Sequence, residues 1–217
     1  MSVFDCTNFN PLSFSLQLQP LRVFPEMTSF QLPALRHHNN IHCCCVIDST
    51  RLLVGTDDCL LCCDVDIHSY RRMTNSKKIL LCSYSPQDQL VVVLAGKQRH
   101  IKLIPTRGLD HESTDWIKVT ETKGATTFVL VNLETETFIC VAIRKTLLIY
   151  QVNRKKTRYT FWREVQMPLN IQTLTCHNNR IAVGTNSNFV VYHVNNREQP
   201  PFCEYPQHLQ QTSPATS

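Results

Sequence analysis

Four stretches of this chain repeat one plan at nearly constant spacing, and that spacing constrains the fold more than any single residue does. In each, a short apolar run ends at or near glycine or alanine, a polar turn follows, and a second apolar run resumes. The fullest copy is Gln89 to Pro105, QLVVVLAGKQRHIKLIP. It reads Leu90-Val91-Val92-Val93-Leu94-Ala95, then Gly96, then the basic tip Lys97-Gln98-Arg99-His100, then Ile101-Lys102-Leu103-Ile104. A valine-rich run this short reads as a strand buried on both faces, and two such runs around a charged tip read as a hairpin. Gly55 lies 41 residues before Gly96, Ala142 lies 42 before Gly184, and Tyr150 lies 42 before Tyr192. The middle interval, Gly96 to Ala142, is 46 and holds the loop Gly108 to Asp115. Short antiparallel strands repeating every 40 to 45 residues mark a β-propeller with one blade per repeat. The expected fold is all-β, a partial β-propeller of about four blades. The competing fold is an unrelated β-sandwich, which would not require the same small residue and polar turn in every copy.

The rest of the chain divides around that core. Residues 1–35 carry Pro11, Pro20, Pro25 and Pro33, a density that breaks helices and central strands. They read as an extended lead-in, with Phe14 to Leu18 as its one strand candidate. Residues 36–198 hold the propeller. Its early strands are expected at Ile41–Ile47, Arg51–Thr56, Cys59–Val65, Tyr70–Met73 and Lys78–Tyr84. Its later ones are expected at Phe138–Ile143, Leu147–Val152, Arg180–Thr185 and Phe189–Val194, with turns at 144–146 and 186–188. Residues 199–217 lose all periodicity and are expected to be a disordered tail.

Composition removes several function classes. The net charge of +5 is mild for a nucleic-acid binder, and the aromatic residues sit in strands rather than among the charges. No apolar run approaches the roughly 18 residues of a membrane span. The start, MSVFDCTNFN, lacks the basic and apolar blocks of a secretion signal. The expectation is a cytoplasmic protein, peripheral to membrane or cytoskeleton. Most of the eleven cysteines lie in apolar runs, where cysteine acts as a small buried hydrophobe, and reduced thiols are expected.

Catalytic and metal chemistry find no foothold. Five glycines, no two within ten residues of each other, allow neither GxGxxG nor a P-loop. Cys59 and Cys62 have CxxC spacing and His37, His38 and His42 precede Cys43 to Cys45. In a strand, however, positions three apart face opposite ways, so the two thiols cannot share an ion. Cys176 and His177 are adjacent and face apart for the same reason, and Asp64, Asp66 and His68 match no triad spacing. No catalytic residue, metal or cofactor is expected.

The basic clusters remain. Lys97, Arg99 and His100 form one tip, and Arg144 and Lys145 form the equivalent tip one blade later. Such tips share a propeller face, so these five residues are the candidate partner-binding surface, suited to an acidic protein or anionic headgroups. Arg154, Lys155, Lys156 and Arg158 read as a basic link after that blade. Trp116 and Trp162 read as loop residues that pack between blades.

Several stretches together resemble the citron homology (CNH) domain in the form carried by the myotonic-dystrophy-kinase-related kinases (the MRCK and Genghis Khan type) and citron kinase. They are LLVGTDDCLL (Leu52 to Leu61), Gln89 to Pro105, Asp115-Trp116, Glu121 to Gly124, ICVAIRKTLLIYQV (Ile139 to Val152), Lys155 to Arg158, EVQMPLNIQ (Glu164 to Gln172) and RIAVGTNSNF (Arg180 to Phe189). Their order and spacing agree from about residue 40 to 195. The resemblance implies a non-catalytic propeller within a serine/threonine kinase polypeptide, a protein-interaction platform for Rho-type small GTPases and cytoskeletal signalling. The alternative it leaves is a membrane-associated scaffold of the vesicle-tethering type, binding anionic lipid through the basic face. It also implies about seven blades in a complete domain, so this chain is expected to hold the front part, with open edges suited to self-association.

Overall fold

The computed structural model describes residues 40–73, 78–109, 116–153, 158–177 and 179–194. The lead-in and the tail lie outside the described residues. The described chain is built from four antiparallel sheets whose strands each pair with neighbours in sequence. The first sheet contains β1 (Ile41–Val46), β2 (Arg51–Thr56), β3 (Leu60–Asp64) and β4 (Ser69–Arg72). The second contains β5 (Ile79–Ser85), β6 (Leu90–Ala95), β7 (His100–Pro105) and β8 (Ile117–Lys118), with a single 3-10 turn, Thr106–Gly108, after β7. The third contains β9 (Thr127–Asn132), β10 (Thr137–Ile143), β11 (Thr146–Asn153) and β12 (Arg158–Gln166). The fourth contains β13 (Thr173–His177), β14 (Arg180–Gly184) and β15 (Phe189–His193). The first strands β1, β5, β9 and β13 lie side by side in that order. Four meander sheets succeeding one another about their first strands are four blades of a partial propeller. No helix among the described residues is long and apolar enough to cross a membrane.

The unbroken apolar runs have a direct cause. A middle blade is sandwiched between two others, so its second strand has no solvent face. In β6, Leu90, Val92 and Leu94 pack toward the third blade with Ile139, Val141 and Tyr150. The alternate residues Val91, Val93 and Ala95 pack toward the first blade with Leu53, Leu60 and Ile79. β10 repeats this, with Ile139 and Val141 on one side and Phe138, Cys140 and Ala142 joining Ile181, Val183 and Tyr192 on the other. β14 departs from the rule. Ile181 and Val183 are buried, but the opposite face carries Arg180, Ala182 and Gly184.

The glycines that mark the period serve different ends. Gly55 lies inside β2, where an added Cβ would sit 2.5 Å from Cys43 Sγ and 2.8 Å from Ile79 Cγ2. It permits close approach of the next blade. Gly96 has φ +82° with open space around it, and serves the turn.

Several expectations need correction. The short β8 and the strands β9, β12 and β13 were not legible: β8 has two residues, and the others carry polar or exposed positions that dilute the pattern. Arg158 starts β12, which pairs with β11 in the third blade, so it belongs to that blade rather than following it, while Arg154, Lys155 and Lys156 of the basic link lie outside the described residues. Trp162 is likewise inside β12, with its ring edge-on to Phe138 at 5.5 Å. His100 opens β7 and Thr146 opens β11, because both pair across the hairpin with Ala95 and Ile143. Lys78 precedes β5, Cys59 and Val65 flank β3, and Met73 follows β4.

Candidate functional site

The turns joining second to third strands carry the candidate residues, and their backbones are held in the same way in three successive blades. In the first, the Lys78 N–H donates to the Asp57 carbonyl at 2.7 Å. In the second, the Gly124 and Ala125 N–H groups donate to the carbonyls of Gln98 (2.9 Å) and Arg99 (3.2 Å). In the third, the Met167 and Ile171 N–H groups donate to those of Lys145 and Arg144, both at 2.7 Å. Each turn therefore holds the segment that leads into the next blade. Arg99 (φ 52°) and Arg144 (φ 53°) take the left-handed conformation that these tight turns need. With the backbone so occupied, the side chains of Lys97, Arg99, Arg144 and Lys145 are exposed. The structure gathers Lys97, Arg99 and His100 at one tip and places Arg144 and Lys145 at the equivalent tip of the next blade.

Among the described residues, the positive charge at these turns is confined to the two middle blades. In the first blade the equivalent turn is Asp57-Asp58. The Asp57 carboxylate accepts hydrogen bonds from Asn40 Nδ2 (2.7 Å) and His42 Nε2 (2.7 Å), with Lys78 Nζ at 3.9 Å. The Asn40 and His42 hydrogen bonds lead in holding that carboxyl below its usual range. In the fourth blade the turn is neutral, and Thr185 Oγ1 donates to the Asn188 carbonyl at 2.9 Å.

His100 differs from its neighbours. It is half-buried, its Nε2 lies 3.2 Å from Gln98 Oε1, and its Nδ1 has no hydrogen-bond partner among the described residues. Burial, followed by the charges of Lys118, Lys102 and Lys123, lowers its pKa, so the ring favours the neutral form. Lys102 and Lys118 are direct partners across β7 and β8. Burial and the Lys118 charge lower the Lys102 pKa, and its Nζ stands 5.1 Å over the Trp116 ring. Sequence reasoning missed Lys102, Lys118 and Lys123 as part of this surface. The alternation His100-x-Lys102 was a usable signal, but the pairing of Lys118 depends on a two-residue strand with no signature of its own.

No group of three or more potential metal ligands occurs among the described residues. Cys59 belongs to a small core cluster with Val54, Leu61 and Cys63, whereas Cys62 packs on the opposite side against the first-to-second-blade core. The two thiols of the CxxC spacing thus face apart. Cys176 is partly buried and His177 exposed, as strand alternation requires.

Comparisons with known proteins agree with this architecture. The family model for the CNH domain matches residues 48–216. The chain is 34% identical over 157 residues to serine/threonine-protein kinase MRCK alpha of Homo sapiens, covering 71% of this chain and 9% of that protein. It is 30% identical over 163 residues to serine/threonine-protein kinase Genghis Khan of Drosophila melanogaster, covering 70% of this chain and 10% of that protein. The chain therefore spans about a tenth of those relatives, and the matched part is not the kinase domain. Among solved structures, the AfRom2 CNH domain superposes with a TM-score of 0.61 at 17% identity, covering 73% of this chain and 53% of that one. The computationally designed Ika4 protein gives a TM-score of 0.52 at 12% identity, covering 72% and 92%.

Proposed function

We propose that this chain, which belongs to the CNH domain family, is a non-catalytic regulatory module that binds a protein partner through the basic tips of its second and third blades. The observation that carries the proposal is the division of labour at those tips. The turn backbones are committed to holding the blades, while Lys97, Arg99, Arg144 and Lys145 stay exposed. Kinship with MRCK alpha and Genghis Khan supports a place in the regulatory part of a serine/threonine kinase polypeptide, with a Rho-type small GTPase as the partner class. A cytoplasmic site at the membrane or cytoskeletal periphery follows from that role. Complementary charge at an exposed surface chiefly sets encounter rate and specificity. Pulldown with Rho-type GTPases loaded with GTP or GDP tests the proposal. Nucleotide-dependent binding is expected, and the K97E/R99E/R144E/K145E variant should weaken it at least tenfold. Equal capture by wild type and variant, or no capture by a folded preparation, would overturn the reading.

The second reading is an anionic membrane surface. It is favoured by the concentration of Lys102, Lys118 and Lys123 beside His100. In that case flotation with phosphatidylserine vesicles should fall as salt rises, in step with screening. Self-association through sheet edges is a third mode, read out by sedimentation as a concentration-dependent mass.

A further inference from the structure

Three thiols meet where the first strands of the first two blades lie together. Cys43 and Cys45 are two positions apart on β1 and share a face, and Cys82 lies on the neighbouring β5. The ionisation of Cys43 and of Cys45 is perturbed first by Cys82, and the Cys45 thiol itself donates to the Val46 carbonyl at 3.6 Å. All three are free thiols of intermediate exposure. All three also pack on one core cluster with Leu53, Val91 and Val93. Cys44, between Cys43 and Cys45, points the other way and is exposed. The Cys43 sulfur is placed over Gly55 because that glycine leaves it room. The sequence reading treats cysteines in apolar runs as inert hydrophobes, and Cys140 fits that description, being fully buried. The trio differs from it in lying together on neighbouring strands at intermediate exposure.

We propose that Cys82 is a redox modification site, closing a disulfide with Cys43 or Cys45 that links the first two blades when a peroxide is present. In the first step a β1 thiolate attacks hydrogen peroxide. An S–O bond forms, the O–O bond breaks, and hydroxide leaves and takes up the thiol proton as water. In the second step the Cys82 sulfur attacks the resulting sulfenic acid. The S–S bond forms, the S–O bond breaks, and the departing hydroxide takes the Cys82 proton as a second water. Two thiols and one peroxide thus give one disulfide and two waters, the sulfurs supplying the two electrons. The neighbouring Cys82 lowers the pKa of Cys43 and Cys45 while its own is raised by them, so the β1 sulfurs are the ones that favour the thiolate. Burial pushes Cys63 the other way, up to about 11. A dithiol poised for exchange in this way suits transient oxidation and re-reduction in a reducing compartment.

The test is peptide mapping of the full chain after brief hydrogen peroxide treatment and alkylation. Trypsin separates residues 37–51, which carry Cys43 to Cys45, from residues 79–97, which carry Cys82. Wild type should give a linked pair of these peptides that dithiothreitol dissolves. C44S should keep the link, while C82S and the C43S/C45S double variant should lose it. Absence of the link in wild type would overturn the proposal without recourse to any variant. So would its persistence in the C43S/C45S double variant, or its dependence on Cys44.

Discussion

Tyr150 offers a prediction in which pH separates two contributions of one side chain. It is 1% exposed, its hydroxyl donates to the Thr120 carbonyl at 2.9 Å, and its ring meets Tyr159 and Phe161 edge-on at 5.6 and 5.8 Å. Burial, followed by the Glu121 carboxylate, pushes its phenol up to about 12. Tyr150→Phe keeps the ring contacts and deletes the hydroxyl. Thr120 is exposed, so water can rehydrate its carbonyl, and the loss at pH 8 should be about 1 kcal/mol. The alkaline response has a definite sign. With the folded value above the unfolded one near 10, the stabilisation is complete below pH 10 and is lost as pH rises through about 12. At pH 11 the unfolded phenol is mostly ionised and the folded one is not, which corresponds to about 1.4 kcal/mol. Urea denaturation followed by tryptophan fluorescence, with reductant present, should show wild type losing that much more than Tyr150→Phe between pH 8 and pH 11. The gap between the two proteins should close. A difference that stays constant with pH would refute the reasoning, because other ionising groups are common to both.

Three further outcomes are expected. Gly55→Ala should destabilise the chain by about 1–3 kcal/mol through collision with Cys43 and Ile79. Gly96→Ala, with open space but φ +82°, should cost only about 1 kcal/mol, and thermal denaturation of the pair will distinguish crowding from backbone strain. Thr122 is fully buried, its hydroxyl donating to the Val119 carbonyl (2.8 Å) and accepting from the Ile101 N–H (3.1 Å). Thr122→Val should therefore cost about 1–3 kcal/mol in chemical denaturation by stranding that N–H. The Asp48 carboxylate is held at about 2, chiefly by Arg51, so its contribution is present above its ordinary value near 3.8 and disappears as pH falls through about 2. Because Asp48 is 38% exposed, Asp48→Ala should flatten the acid limb of the stability profile by less than about 1 kcal/mol.

The legible parts of the fold were those whose burial the chemistry must announce. A second strand packed on both faces has to be apolar throughout, and β6 and β10 stood out for that reason. Outer strands carry no such obligation. β12 reads RYTFWREVQ because much of it faces solvent, and β8 is too short to show any alternation. The five candidate basic residues were legible as charges at turns. The neutral bias of His100 was not, since it arises first from burial and then from the charges of Lys118, Lys102 and Lys123, an environment that only the fold assembles. The thiol trio was hidden similarly: Cys82 is 37 residues beyond Cys45, and only the side-by-side packing of first strands brings them together.

The carbonyl-to-linker hydrogen bonds at the blade turns carry an evolutionary consequence. Because Arg99, Arg144 and Lys145 hold the next blade through main-chain oxygens, and their side chains make no hydrogen bond among the described residues, those side chains are released from architectural duty there. Substitution there can change the charge of the tips without a penalty in assembly, provided the left-handed turn geometry is kept. A lineage using this scaffold is therefore free to vary the surface of these tips by drift, whereas the valines beneath them are bound to the fold.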